Sequence, residues 1–127
     1  MRLIERNDYL QKIIEVMGTP DIKVITGVRR SGKSKLLEAF RDYVVKNVPN
    51  ANINFNLTKF EAYKDYHALN DYIESSFKKG CENFVLIDEV QMCPNFELTI
   101  NSIHAMEMFD IYITGSNAFL LSSDLAT

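Results

Sequence analysis

The stretch that decides the fold is Gly27-Val28-Arg29-Arg30-Ser31-Gly32-Lys33-Ser34. It matches the pattern G-x-x-x-x-G-K-[ST], in which each fixed position has a physical reason. Gly27 and Gly32 let the backbone take a positive φ and approach a polyphosphate without a Cβ in the way. Successive N–H groups and the start of the following helix carry partial positive charge. The stretch therefore predicts a phosphate-binding loop over residues 27–34.

Two side chains at the end of this loop have defined roles. Lys33 supplies a cation for the β- and γ-phosphates, and the Ser34 hydroxyl is a ligand for Mg²⁺. Arg29 and Arg30 either add positive field to the phosphates or face solvent, and the sequence leaves both readings open. The expected ligands are ATP and Mg²⁺. The residues expected to contact the nucleotide are Gly27, Val28, Arg29, Arg30, Ser31, Gly32, Lys33 and Ser34.

The segments on either side of the loop fit the same interpretation. Residues 22–26 are a short run rich in β-branched side chains, which predicts a buried strand. Residues 35–45 carry apolar side chains at the spacing of one helical face. Strand, loop and helix in this order is the arrangement that a phosphate-binding loop requires. This context argues against a glycine-rich turn that contains Lys-Ser by accident.

A second motif is the apolar run Phe84-Val85-Leu86-Ile87, which ends in Asp88 and Glu89. Such a run is typical of a parallel strand buried on both faces, and ligand sites in parallel sheets lie at the carboxyl ends of the strands. Asp88 is thus predicted to hold the magnesium, and Glu89 to take a proton from an attacking water. Alone, these acids would read as a solvated turn; beside the loop, the catalytic interpretation is the better one.

Composition and charge restrict the possible functions. The chain has 127 residues, enough for one domain, with a net charge of -3 that gives no electrostatic footprint for nucleic acid. Nucleic acid stays a possible partner, but the net charge does not support it. The start of the sequence lacks an apolar signal region, and no run approaches membrane-spanning length, so we expect a cytoplasmic protein without a membrane partner. Cys81 and Cys93 fit neither a metal pair nor a disulfide framework.

The remaining periodicities predict an α/β fold with a mainly parallel sheet and helices on both faces. A leading helix is expected within residues 1–20, and a nucleotide-binding core over residues 21–127. The other predicted elements are strands at 51–57 and 111–114 and helices at 65–79, 96–108 and 117–125. One strand and two helices thus separate the loop from the two acids. This spacing, with Glu89 after Asp88, resembles that of the ATPases with a catalytic glutamate at the end of a strand. Small-molecule kinases and GTPases with the same loop usually lack that glutamate.

The chain resembles the AAA-type ATPases. It is most similar to a prokaryotic group with a G-x-R-R-x-G-K-[ST] loop, an IDEVQ strand end and a TGS strand end, here at 27–34, 87–91 and 114–116. The resemblance implies a three-layer P-loop NTPase fold in the N-terminal part of a longer protein, with a winged-helix-like segment and a C-terminal domain after it. It also implies that the sequence stops before the fifth core strand and before an arginine that completes a neighbouring nucleotide site.

The same resemblance points to the polar residues that follow Thr114. In the family pattern this strand lies between the loop strand and the acidic strand. A side chain at its end can hydrogen-bond the attacking water or the γ-phosphate. Ser116 is the first candidate and Asn117 the second, because one residue of register is beyond sequence reasoning. A polar turn that only closes the strand is the alternative.

The predicted function is Mg-dependent ATP binding and hydrolysis, coupled to a partner, to the C-terminal domains of a parent chain or to a DNA-related process. One alternative is a nucleotide-dependent switch with little turnover, and another is a phosphotransferase. By resemblance, the missing fifth strand would leave residues 22–26 at an edge of the sheet, with unpaired backbone groups. We therefore expect these 127 residues to self-associate and to hydrolyse ATP poorly.

Overall fold

A computed structural model describes residues 1–5, 10–26, 32–57, 65–116, 120 and 125. In chain order, its elements are β1 (Arg2–Glu5), α1 (Leu10–Glu15), β2 (Lys23–Thr26), α2 (Lys33–Asn47), β3 (Ala51–Leu57), α3 (Tyr66–Ser75), β4 (Glu82–Asp88), a 3-10 turn (Val90–Met92), α4 (Phe96–Ala105) and β5 (Asp110–Thr114). None of the described helices combines the length and apolar character needed to cross a bilayer.

The five strands form one sheet in the order β1-β2-β5-β4-β3, and each neighbouring pair is parallel. The predicted α/β fold is therefore confirmed, and it agrees with a P-loop NTPase-like architecture. The predicted placement of β5, between the loop strand β2 and the acidic strand β4, is also confirmed. Because all strands are parallel, their carboxyl ends meet at one edge of the sheet.

The sheet is covered on both faces, so the molecule has three layers. On one face, α1 and α2 bury Ile13, Leu37 and Phe40 against the sheet. On the other face, α3 and α4 bury Leu69 and Ile100 in the same way. Strands β2 and β4 are buried on both faces, which explains why their sequences read as nearly continuous apolar runs.

The expectation that residues 22–26 form an edge strand is wrong. Strand β1 pairs in parallel with β2, with Leu3 opposite Val24 and Ile4 opposite Ile25. The N–H and C=O groups of β2 therefore have partners on both sides, from β1 and from β5. The leading segment is also more than a helix, because β1 precedes α1. Self-association remains an expectation, but because β2 is not an edge strand it no longer supports that expectation.

Two predicted helices end earlier than the sequence pattern suggested. Helix α3 stops at Ser75, and the Ser76 hydroxyl donates to the carbonyl of Ile73 at 2.6 Å. Asn52 on β3 then donates to the Ser76 carbonyl at 2.6 Å, which holds the chain outside the helix. Helix α4 stops at Ala105 instead of continuing to 108. The helix predicted over 117–125 lies outside the described residues, apart from two buried leucines at 120 and 125.

A buried ion pair fixes the amino ends of β2 and β5 to each other. The Lys23 side chain is fully buried, and its Nζ lies 2.6 Å from Asp110 Oδ1. Asp110 Oδ2 accepts from the Tyr112 hydroxyl at 2.8 Å and from the Gly18 N–H at 2.9 Å. Burial and the neighbouring Asp110 carboxylate raise the pKa of the Tyr112 hydroxyl, so it stays a neutral donor.

We predict that Asp110→Ala lowers the free energy of unfolding by about 3–5 kcal/mol, because it leaves the buried Lys23 ammonium without its counter-charge. The matched control is Asp21→Ala, which removes the exposed Arg2–Asp21 pair of 3.7 Å. This control should cost less than about 1 kcal/mol. Urea unfolding followed by circular dichroism measures both, and equal losses for the two variants would contradict the importance of the buried pair.

Candidate functional site

Three elements bring the side chains of the candidate site together at the carboxyl edge of the sheet. Lys33 and Ser34 begin α2, Asp88 ends β4, and Thr114 ends β5. Helix α2 is preceded by Gly32, whose φ of 89° lies in the left-handed region that favours glycine. The rest of the loop, residues 27–31, lies outside the described residues. Its predicted phosphate contacts stay predictions.

The centre of the site is the carboxylate of Asp88, which is only 4% exposed. The Ser34 hydroxyl donates to its Oδ2 at 2.6 Å, and the Thr114 hydroxyl donates to its Oδ1 at 2.6 Å. Charge-assisted hydrogen bonds of this length compensate a carboxylate for its removal from water. Asp88 and Ser34 thus present two adjacent oxygen ligands, the donor type that Mg²⁺ prefers.

Lys33 is also buried, with 4% of its surface exposed. Its Nζ donates to the carbonyl oxygen of Gly115 at 2.8 Å and lies 4.0 Å from Glu89 Oε1. A buried ammonium needs such partners, because an unpaired charge in this position is costly. The lysine therefore connects the start of α2 with the ends of both β4 and β5.

Glu89 has an unusual backbone conformation, with φ 52° and ψ 50°. This left-handed geometry costs a residue with a Cβ roughly 1–2 kcal/mol. The N–H of Glu89 donates to Thr114 Oγ1 at 2.8 Å, which helps to hold the turn. On the side chain, Glu89 Oε2 accepts from Gln91 Nε2 at 2.5 Å. The carboxylate lies at the edge of the site, with its side chain 35% exposed.

Gly115 leaves room for the neighbouring side chains. A Cβ at this position would lie 2.7 Å from Gln91 Oε1 and 2.8 Å from Leu120 Cδ1. Distances this short are steric clashes, so any larger residue would displace the side chain of Gln91 or of Leu120. Glycine is therefore favoured at this position by the close approach of two side chains and not by a positive φ.

The structure brings together four predicted site residues, Lys33, Ser34, Asp88 and Glu89. Ser116 is half-buried just past β5, and its carbonyl accepts from Leu120 N–H at 3.0 Å. Asn117 lies outside the described residues, so the choice between these two candidates stays open.

Sequence reasoning missed two residues of this network, Thr114 and Gln91. The sequence pattern gave Thr114 no role beyond the start of a polar stretch, although its hydroxyl contacts the Asp88 carboxylate and the Glu89 N–H. Its position as the last residue of β5 was the available signal. Gln91 was quoted only as a letter of the IDEVQ motif, and its contact depends on the left-handed turn at Glu89, which the sequence does not reveal.

Several other features take no part in this site. Cys81 and Cys93 are free thiols. Burial, together with Asp65 and Glu97, raises the pKa of Cys93 to about 11, which leaves it protonated at neutral pH. Among the described residues, no group of three or more His, Cys, Asp or Glu side chains is arranged to hold a metal. A cavity of about 600 Å³ lies at the opposite, amino edge of the sheet.

Comparison with known proteins identifies the class. Residues 19–127 match the family described as an AAA domain, so the chain belongs to that family. An uncharacterized protein of Haemophilus influenzae is 40% identical over 130 residues, which cover 98% of this chain and 32% of that protein. The chain therefore spans about a third of the length of this relative. No solved structure matches the chain.

We predict that Thr114→Val destabilises the protein by about 1–3 kcal/mol, because the Glu89 N–H loses its acceptor and Asp88 loses a donor. Valine keeps the shape of threonine, so the loss reports the hydroxyl. Thr114→Ser keeps the hydroxyl and should retain most of the stability. Chemical unfolding compares the two variants, and a valine variant at least as stable as the serine variant would refute the role of this hydroxyl.

Proposed function

We propose that this chain is the nucleotide-binding part of a Mg-dependent ATPase. The observation that carries the proposal is the contact between Ser34 and Asp88, 2.6 Å apart, with Lys33 and Glu89 beside them. These four residues are a hydroxyl, two carboxylates and an ammonium at the carboxyl edge of a parallel sheet. Membership of the AAA domain family supports the same reading.

The first step of the proposed mechanism is phosphate binding by Lys33. Its Nζ now donates to the Gly115 carbonyl, which is a neutral acceptor. The β- and γ-phosphate oxygens are anionic acceptors and form stronger hydrogen bonds with an ammonium. The lysine would therefore exchange its carbonyl partner for the nucleotide, as the sequence of the loop predicts.

The oxygen donors of Ser34 and Asp88 fit a magnesium ion. The Ser34 hydroxyl proton, now directed at Asp88 Oδ2, would turn away so that both oxygens face the metal. Mg²⁺, when bound, neutralises the charge that develops on the phosphates. Thr114 would continue to hold the second oxygen of Asp88 and so keep the carboxylate in the same orientation.

Glu89 is the proposed general base. Its carboxylate would accept a proton from a water whose oxygen attacks the γ-phosphorus, while the bond to the β-phosphate oxygen breaks. The products are ADP and inorganic phosphate. A phosphotransferase would pass the phosphoryl group to a substrate hydroxyl instead, and the position of Glu89 favours water as the acceptor. A switch with little turnover would use the same binding residues without this step.

We predict that Lys33→Ala weakens ATP binding by roughly 10- to 100-fold, the value of one charge-assisted hydrogen bond. The matched control is Lys35→Ala, which removes an exposed lysine from the same turn of α2. Isothermal titration calorimetry measures both. Equal affinities for the two variants would rule out the loop lysine as a phosphate ligand.

We predict that Glu89→Gln in the intact protein binds ATP but hydrolyses it roughly 10²–10⁴ times more slowly, because the amide keeps the shape and loses the basicity. Asp88→Asn should instead weaken Mg-dependent nucleotide binding. Phosphate release and nucleotide binding, measured in parallel, separate the two effects. Undiminished turnover by Glu89→Gln would show that another residue takes the proton from the attacking water. Nucleotide binding with no turnover in the wild type would favour the switch.

We also propose that the ATPase part acts within a longer chain, as the greater length of the Haemophilus influenzae relative suggests. The process coupled to ATP would then depend on the segments outside these 127 residues. A winged-helix-like segment and a C-terminal domain, implied by the resemblance of the motifs, are the candidates for handling a partner.

A further inference from the structure

Gln91 lies where the proposed base and the end of β5 meet. It belongs to the 3-10 turn Val90–Met92, which begins directly after the left-handed residue Glu89. This turn brings the Gln91 side chain back towards Glu89, so that Nε2 donates to Glu89 Oε2 at 2.5 Å. We propose that Gln91 is a positioning residue that fixes the Glu89 carboxylate for the proposed ATPase reaction, on which this inference rests.

The orientation of the amide follows from the chemistry of its partner. A carboxylate only accepts hydrogen bonds, so the NH₂ end of Gln91 must face Glu89. The Oε1 end is then directed at Gly115, 2.7 Å from the position a Cβ would occupy there. This oxygen is buried and has no hydrogen-bond partner among the described residues. Among the described residues, the contact with Glu89 is therefore the hydrogen bond that the Gln91 side chain makes.

The two oxygens of the Glu89 carboxylate have different neighbours. Oε2 receives the Gln91 amide, while Oε1 faces the Lys33 ammonium at 4.0 Å. If Lys33 turned to the phosphates, its positive charge would attract the nucleotide as well as Glu89, so its hold on the Glu89 carboxylate would weaken. The Gln91 amide does not depend on that movement, because its turn is part of the chain next to β4. It therefore holds the carboxylate in the same place before and after the nucleotide binds.

The same packing makes Gly115 and Gln91 interdependent. A methyl group at residue 115 would push on the amide oxygen of Gln91 and so move the amide away from Glu89. Gly115→Ala should therefore impair turnover partly through Gln91. In a Gln91→Ala background the clash with the amide oxygen is removed, and the added methyl still meets the Leu120 side chain, at 2.8 and 3.0 Å. The further loss from Gly115→Ala should be smaller there.

The main test is Gln91→Met in the intact protein, which keeps the length of the side chain and removes the donor. The turnover number for ATP should fall about tenfold, within the range of couplings between contacting residues. The nucleotide dissociation constant should stay within about twofold, because the hydrogen bond that Gln91 makes is to the proposed base Glu89 and not to Lys33 or Ser34. The matched control is Met92→Ala, an exposed residue of the same turn, which should change neither quantity.

A double-mutant cycle separates positioning from general damage. In the Glu89→Gln background, Gln91→Met should have no further effect on turnover, because there is no base left to position. Full additivity of the two changes, or wild-type turnover in Gln91→Met, would overturn the inference. A normal Glu89→Gln defect with no Gln91 effect refutes this inference alone, whereas no Glu89→Gln defect refutes the proposed base.

A spectroscopic readout does not depend on turnover. In the nucleotide-free protein, one side-chain amide proton of Gln91 should resonate downfield of a solvated glutamine, because it donates to a carboxylate. Glu89→Ala should return it to the solvated position, and Met92→Ala should leave it unchanged. A solvated chemical shift in the wild type would show that the hydrogen bond is not formed.

Discussion

Two hydroxyl groups, from Ser34 on α2 and Thr114 on β5, donate to the buried carboxylate of Asp88, each at 2.6 Å. A charged group that is 4% exposed must be compensated by hydrogen bonds, and these come from elements distant in sequence. The carboxylate therefore fixes the first turn of α2 and the end of β5 relative to β4. The positions of the lysine and of the glutamate depend on this arrangement, because Lys33 directly precedes Ser34 and Glu89 directly follows Asp88.

The left-handed backbone conformation of Glu89 is energetically unfavourable, and the Thr114 hydroxyl helps to stabilise it. Thr114 Oγ1 both donates to Asp88 and accepts from the Glu89 N–H, at 2.8 Å, so one side chain holds two consecutive residues of the acidic motif. Strain of this kind persists only where the surroundings fix the conformation. The backbone geometry thus helps to set the direction of the Glu89 carboxylate, which is what the proposed role as proton acceptor would require of it.

The sequence was sufficient for the parts of the fold that depend on local pattern and on one specific motif. It predicted the strand before the loop, a helix over residues 35–45, which lies within α2, and the acidic end of β4. The central place of β5 was implied by the resemblance of the motifs to a known family. The sequence did not predict that β1, only four residues long, pairs with β2, because strand pairing is a non-local choice that a short segment hardly signals. Thr114 was missed for a related reason: the partner of a hydroxyl depends on the register of two strands, to within one residue.

The polar groups of the site that the structure describes are largely satisfied by one another. Lys33 has the Gly115 carbonyl, and Ser34 has Asp88. A ligand in the proposed site would therefore replace existing hydrogen bonds, so its affinity reflects the difference between two sets of partners and not the sum of the new contacts. Such an exchange would also change the protein itself, since the Gly115 carbonyl, directly after β5, would lose its hydrogen bond if Lys33 turned to the phosphates. Phosphate binding by Lys33 would therefore change the hydrogen bonding of Gly115, the residue after Thr114, and the Thr114 hydroxyl contacts both Asp88 and Glu89.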